Sequence, residues 1–131
     1  MKVRLPLALL IALASPAAAQ TLMTAEEFDA WSTGHTLDYW IEGQYWGSER
    51  HLSGRQTIDR VDDYCHAGLW FPQDGAICFQ YEDSDATTCW FFWRDGDTVT
   101  AKTVDAGPEV PPYVVTTSDD DLNCPGPDVG V

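Results

Sequence analysis

Cationic side chains are scarce in this 131-residue chain: seven Lys and Arg stand against 21 Asp and Glu, a formal net charge of −14. Two of the seven, Lys2 and Arg4, lie at the very N-terminus, and without them the charge is −16. Nucleic acid and anionic membrane surfaces repel so acidic a body, which argues against both as partners. After residue 19 no apolar run is long enough to cross a bilayer, so no membrane span is expected. There is no C-x-x-C, H-x-H or H-E-x-x-H spacing, and no zinc or other metal site is expected from the four Cys and the three imidazoles His35, His51 and His66. No G-x-S-x-G and no phosphate-cradling glycine loop occur, and Ser48 and Ser53 have no evident base and orienting acid beside them. No cofactor and no catalytic residue follow from the pattern.

What is present begins with the three zones of a signal peptide. Lys2 and Arg4 precede an apolar stretch from Leu5 to Ala14, and Ser15, Pro16 and Ala17-Ala18-Ala19 supply the small residues of a peptidase site. Cleavage after Ala19 is expected, leaving residues 20–131 as a single domain. No Cys follows the apolar stretch, so a lipid anchor is not expected and the product should be soluble, in the periplasm or secreted.

All four Cys, at 65, 78, 89 and 124, fall in that exported part. An even number in a small exported chain favours two disulfides, for which three pairings exist. Cys78 and Cys89 lie symmetrically about the turn-like segment Glu82 to Ala86, and opposed residues of a hairpin come within bonding range. The expected bridges are therefore Cys78–Cys89 and Cys65–Cys124. Two prolines after Cys124 forbid regular structure, so the second bridge alone is expected to hold the tail from Ser118.

Thr24-Ala25-Glu26-Glu27 has the form of a capping box, and Gly34 supplies a left-handed stop, which predicts a helix over 24–33. From Thr36 the texture changes to aromatic and β-branched runs broken at intervals close to ten residues. Strands are predicted over 36–41, 44–52, 55–61, 67–72, 75–81, 88–94, 97–104 and 112–117. Connections this short force neighbours to pair antiparallel. The fold expected is mainly β: an antiparallel eight-strand meander or lipocalin-like small barrel, with the helix plugging or flanking one end. A two-sheet sandwich is the alternative.

Six Trp, five Tyr and five Phe serve mostly as core. Ile77, Phe79 and Tyr81 share one face of their strand, with Cys78 on the other. Tyr39, Trp40, Tyr45 and Trp46 flank the first hairpin with few apolar partners in sequence, and they are the candidate ligand or partner surface. Asp83, Asp85 and Thr87 have the opening rhythm of a calcium loop, but Thr88 and Arg94 stand where its Gly and terminal Glu belong. Asp59, Asp62 and Asp63 read as a solvated turn.

Several segments, taken in order, carry a resemblance. They are Met23-Thr24-Ala25-Glu26-Glu27-Phe28, Thr33-Gly34-His35-Thr36-Leu37, Cys65-His66-Ala67-Gly68-Leu69-Trp70, Ile77-Cys78-Phe79-Gln80-Tyr81, Cys89-Trp90-Phe91 and Cys124-Pro125-Gly126-Pro127-Asp128-Val129-Gly130-Val131. Together they resemble a group of small secreted bacterial proteins of unknown function. The resemblance implies a structural set of four Cys and a bacterial periplasm as destination, and it carries over no catalytic or binding residue.

The function expected is a periplasmic or secreted binding module, its partner a protein or saccharide of the envelope. An inhibitor of a cationic envelope-degrading enzyme such as lysozyme is one alternative, because the acidic body would be steered to a basic partner. A carboxylate-based hydrolase of envelope sugars is another, and convergence of two carboxylates with His51 or His66 in a pocket would favour it.

Overall fold

The computed structural model describes residues 20–124; the expected signal at 1–19 and the Pro- and Gly-rich segment from 125 lie outside the described residues. After a short strand, β1 (Thr21–Leu22), comes one helix, α1 (Ala25–Ser32). Its start is the capping box: the Glu27 amide donates to Thr24 Oγ1 at 3.1 Å, and the Thr24 amide donates to Glu27 Oε2 at 2.9 Å. Thr33 ends the helix with extended dihedrals, its amide donating to the Asp29 carbonyl.

Eight strands follow: β2 (Thr36–Ile41), β3 (Gln44–His51), β4 (Gln56–Val61), β5 (Tyr64–Gln73), β6 (Ala76–Tyr81), β7 (Thr87–Asp95), β8 (Thr98–Thr103) and β9 (Tyr113–Ser118). Each pairs antiparallel with the next, and β9 pairs with β2, so the meander closes into a barrel rather than splitting into two sheets. The two-residue turns Glu42-Gly43 and Asp74-Gly75 have positive φ at both positions (50° and 77° in each), the backbone that matches the twist of a tight hairpin. β5 starts three residues before the expected boundary, because Tyr64, Cys65 and His66 pair with Val61, Arg60 and Asp59. β1 is an addition that sequence pattern did not predict: Thr21 and Leu22 lie against Arg94 and Trp93 of β7.

The core is the barrel interior. Leu37, Trp70, Ile77, Phe79, Phe92, Val99, Ala101 and Val115 are buried there, whereas β3 and β4 contribute the polar residues Glu49, His51 and Thr57. α1 closes one end through Phe28, whose ring packs against those of Phe92, Trp70 and His51 at centroid distances of 4.6, 5.1 and 5.5 Å. Arg55 covers the same end, its guanidinium 4.7 Å above the Trp70 ring. Among the described residues no helix covers the opposite end.

Both expected disulfides are present, Cys78–Cys89 across adjacent strands and Cys65–Cys124 from β5 to the tail. Two bridges and no free thiol among the described residues place the domain in an oxidising, extracytoplasmic compartment. The tail, however, is not held by sulfur alone, which corrects the sequence reading. Thr36 Oγ1 donates to the Asp120 carbonyl at 2.6 Å, and Arg60 Nη1 donates to the Leu122 carbonyl at 2.6 Å. Among the described residues no helix is long and apolar enough to cross a membrane.

Candidate functional site

The open end of the barrel leads into a cavity of about 130 Å³. Its walls are aromatic: Tyr39 from β2, Trp46 from β3, Phe79 and Tyr81 from β6, and Trp90 from β7. Two carboxylates also line it, Glu49 of β3 and Asp59 of β4. These two are direct cross-strand partners, so they face the interior side by side.

A β-bulge builds the rim. Tyr39 pairs with Gly47 and Trp40 with Tyr45, leaving Trp46 as the extra residue of β3. The Trp46 ring meets those of Tyr39 and Tyr113 edge to face, at 6.2 and 5.5 Å. Trp90 joins the group at 6.1 Å from Tyr39 and 5.4 Å from Tyr113. Edge-to-face packing of this kind fixes ring positions beyond what burial alone does.

Glu49 is only 4% exposed and has both oxygens engaged. His51 Nε2 lies 2.8 Å from Oε1, and the Tyr81 hydroxyl donates to Oε2. His51 itself is fully buried under Phe28 and Phe79, with Nδ1 unpartnered among the described residues. The Tyr81 ring reaches its position because Gly68 lies opposite: a Cβ there would stand 2.6 Å from Tyr81 Cδ1. Burial, and then the negative charge of Glu49, hold the Tyr81 phenol well above its ordinary pKa, and Tyr39 likewise. Both phenols stay neutral donors.

Asp59 is the exception in this layer. Its Oδ1 is closed to solvent and has no hydrogen-bond partner among the described residues. Burial, then the Glu49 charge, push its pKa up from 3.8 to about 6; His66 across β5 opposes the rise, and Asp83 adds to it. His66 is in turn bonded to Asp83.

The four residues proposed from sequence do not form one patch. Tyr39 faces inward, 6% exposed, in the cavity wall, whereas Trp46 stands at the rim with 55% of its surface exposed. Trp40 and Tyr45 face outward, packed edge to face at 5.4 Å, with Trp40 Nε1 donating to Thr116 Oγ1 at 3.1 Å. With Asp38, Asp62 and Asp120 they line an outer groove of about 660 Å³, shared at its edge by Trp46. Glu49, Asp59, Tyr81 and Trp90 complete the inner site and were not among the residues proposed. Asp59 is not part of a solvated turn: it lies within β4, two residues from buried Thr57 on the same face.

Among the described residues no three His, Cys, Asp or Glu side chains gather as metal ligands would. Comparison with known proteins gives no match: no protein-family profile, curated protein or solved structure is significantly similar to the chain.

Proposed function

We propose that the protein is a non-enzymatic binding module of the bacterial envelope, exported by the signal at 1–19 to the periplasm or beyond, which takes a small ligand in the barrel mouth. The supporting observation is a cavity in which an aromatic rim meets two carboxylates, Glu49 buried and Asp59 partly so. An apolar lining with a few convergent polar groups is the ordinary make-up of a ligand site. At about 130 Å³ it suits a small molecule or one head group of a larger one.

One observation favours the hydrolase reading: Glu49, Asp59 and His51 do come together. The hydrogen bonds argue the other way. Glu49 is engaged by His51 and Tyr81 on its two oxygens, and His51 is sealed beneath it. Neither is free to exchange a proton with a substrate, and general acid–base chemistry needs a group within reach of the reacting atom. Binding is the role that the arrangement supports.

The test is a titration with the low-molecular-mass fraction of periplasmic extract, followed by Trp emission. Trp46 and Trp90 line the cavity, so occupancy should change their emission in a saturable way. Val61→Trp, which fills the mouth from the rim, should abolish the change. No response in the wild type, or an equal response in Val61→Trp, overturns the reading.

A further inference from the structure

We infer that the occupant of the barrel mouth is a small organic ammonium ion, with Asp59 as its counter-ion and Tyr39, Trp46 and Trp90 as its aromatic walls. This rests on the reading of the mouth as a ligand site and adds the chemistry of what enters.

The sign of the charge comes first. Among the described residues two carboxylates and no Lys face the cavity, and the one cationic residue in its wall, Arg60, has its guanidinium directed to carbonyls. Nη1 donates to Leu122 at 2.6 Å and to Asn123 at 3.4 Å, and Nε donates to Asp62 at 3.1 Å. An anion would meet unscreened repulsion, whereas a cation would complete the site.

The missing hydrogen bond comes second. His51 and the Tyr81 hydroxyl both point at Glu49, and among the described residues Asp59 Oδ1 is left buried with no donor. Native structures rarely leave such an acceptor without reason, because it loses its hydration and receives nothing in return. An ammonium ion in the mouth supplies the missing positive charge, and its N–H can reach the other carboxylate oxygen, Oδ2, which is not sealed off. A divalent metal fits less well, since Glu49 is engaged and the other polar groups of the layer are neutral phenols that donate.

The walls come third. Trp, Tyr and Phe rings attract a cation placed within about 6 Å of a ring centroid, more strongly where water is excluded. Three such rings from three strands border the cavity that holds Asp59. A neutral sugar would use the rings but would leave the carboxylate charge uncompensated.

The experiment titrates n-butylammonium chloride and its neutral near-isostere n-butanol into the processed protein at constant ionic strength, following Trp emission. The groups facing Asp59 are Glu49 from β3, His66 from β5 with Asp83 of the β6–β7 turn, Tyr81 from β6 and Tyr39 from β2; β7 presents the neutral Thr88 and Trp90. Asp59 is ionised at about pH 8 and protonated at about pH 4.5, so butylammonium should bind about tenfold more weakly at the lower pH. Asp59→Asn should weaken it about as much at the higher pH and remove most of the pH dependence.

Equal affinity for n-butanol, or full affinity in Asp59→Asn, overturns the ammonium assignment. So does failure of butylammonium to saturate while the periplasmic fraction still responds, a result that leaves the mouth as a ligand site. Failure of both probes overturns the two readings together. The pH series uses the wild type alone and stands even if the variant folds poorly.

Discussion

At the scale of single residues, the interior polar layer is where this barrel departs from a plain hydrophobic core. The bond from the Tyr81 hydroxyl to Glu49 satisfies a buried carboxylate, so Tyr81→Phe should lower stability by about 1–3 kcal/mol, read by chemical denaturation. Asp59 should behave in the opposite sense. Its folded pKa of about 6 lies above the ordinary 3.8, so the folded state holds the proton more tightly and stability falls as pH rises through that window. Asp59→Asn lacks this fall. It should match the wild type below about pH 4 and exceed it above pH 6, by on the order of 1 kcal/mol given partial solvent screening, in melts across the pH range. None of this was legible from sequence. Asp59 sits three residues before Asp62-Asp63 and takes on their solvated look, and the Glu49–His51 alternation acquires meaning only when Tyr81 arrives from a strand thirty residues away.

At the scale of elements, local chemistry carried much further. The capping box of α1 and the two-residue turns after β2 and β5 are written in residue types that leave the backbone few alternatives, and both disulfides follow from hairpin symmetry and elimination. The start of β5 escaped because Tyr64-Cys65-His66 has no apolar alternation; Val61, Arg60 and Asp59 opposite it define the pairing instead. The bulge escaped because only the register shows that Trp46 is one residue too many. Gly68 is the element-level feature most open to test. A methyl group there would collide with Tyr81 Cδ1 and, at 2.8 Å, with the Gln80 carbonyl. Gly68→Ala should therefore cost about 1–3 kcal/mol in denaturant unfolding and displace Tyr81 from Glu49. In nuclear magnetic resonance spectra, the largest shifts should fall on Glu49 and Tyr81.

At the scale of the whole molecule, α1 blocks one end of the barrel and an aromatic rim frames the other, so the ends have different tasks. The Cys65–Cys124 bridge acts at a third place, the outer wall, where Arg60 and Thr36 also bind the tail. Replacing both of these Cys with Ser should cost about 2–5 kcal/mol by releasing a long loop in the unfolded chain. It should leave the far-ultraviolet circular dichroism of the strands in place, because the eight ladders do not depend on the tail. The acidic surface also bears on kinetics: binding of any cationic ligand should slow as salt is added, since steering towards the mouth is screened.

Closure of the meander through β2 and β9 has one more consequence. Within the ring from β2 to β9 each strand lies beside its chain neighbours, and the one seam between distant segments of that ring is the pairing that brings Thr36 next to Ser118. Such a ring has no preferred starting point. A polypeptide whose old ends are joined across that seam, and which is opened instead between Asp74 and Gly75, would trace the same circle of hydrogen bonds in a different order.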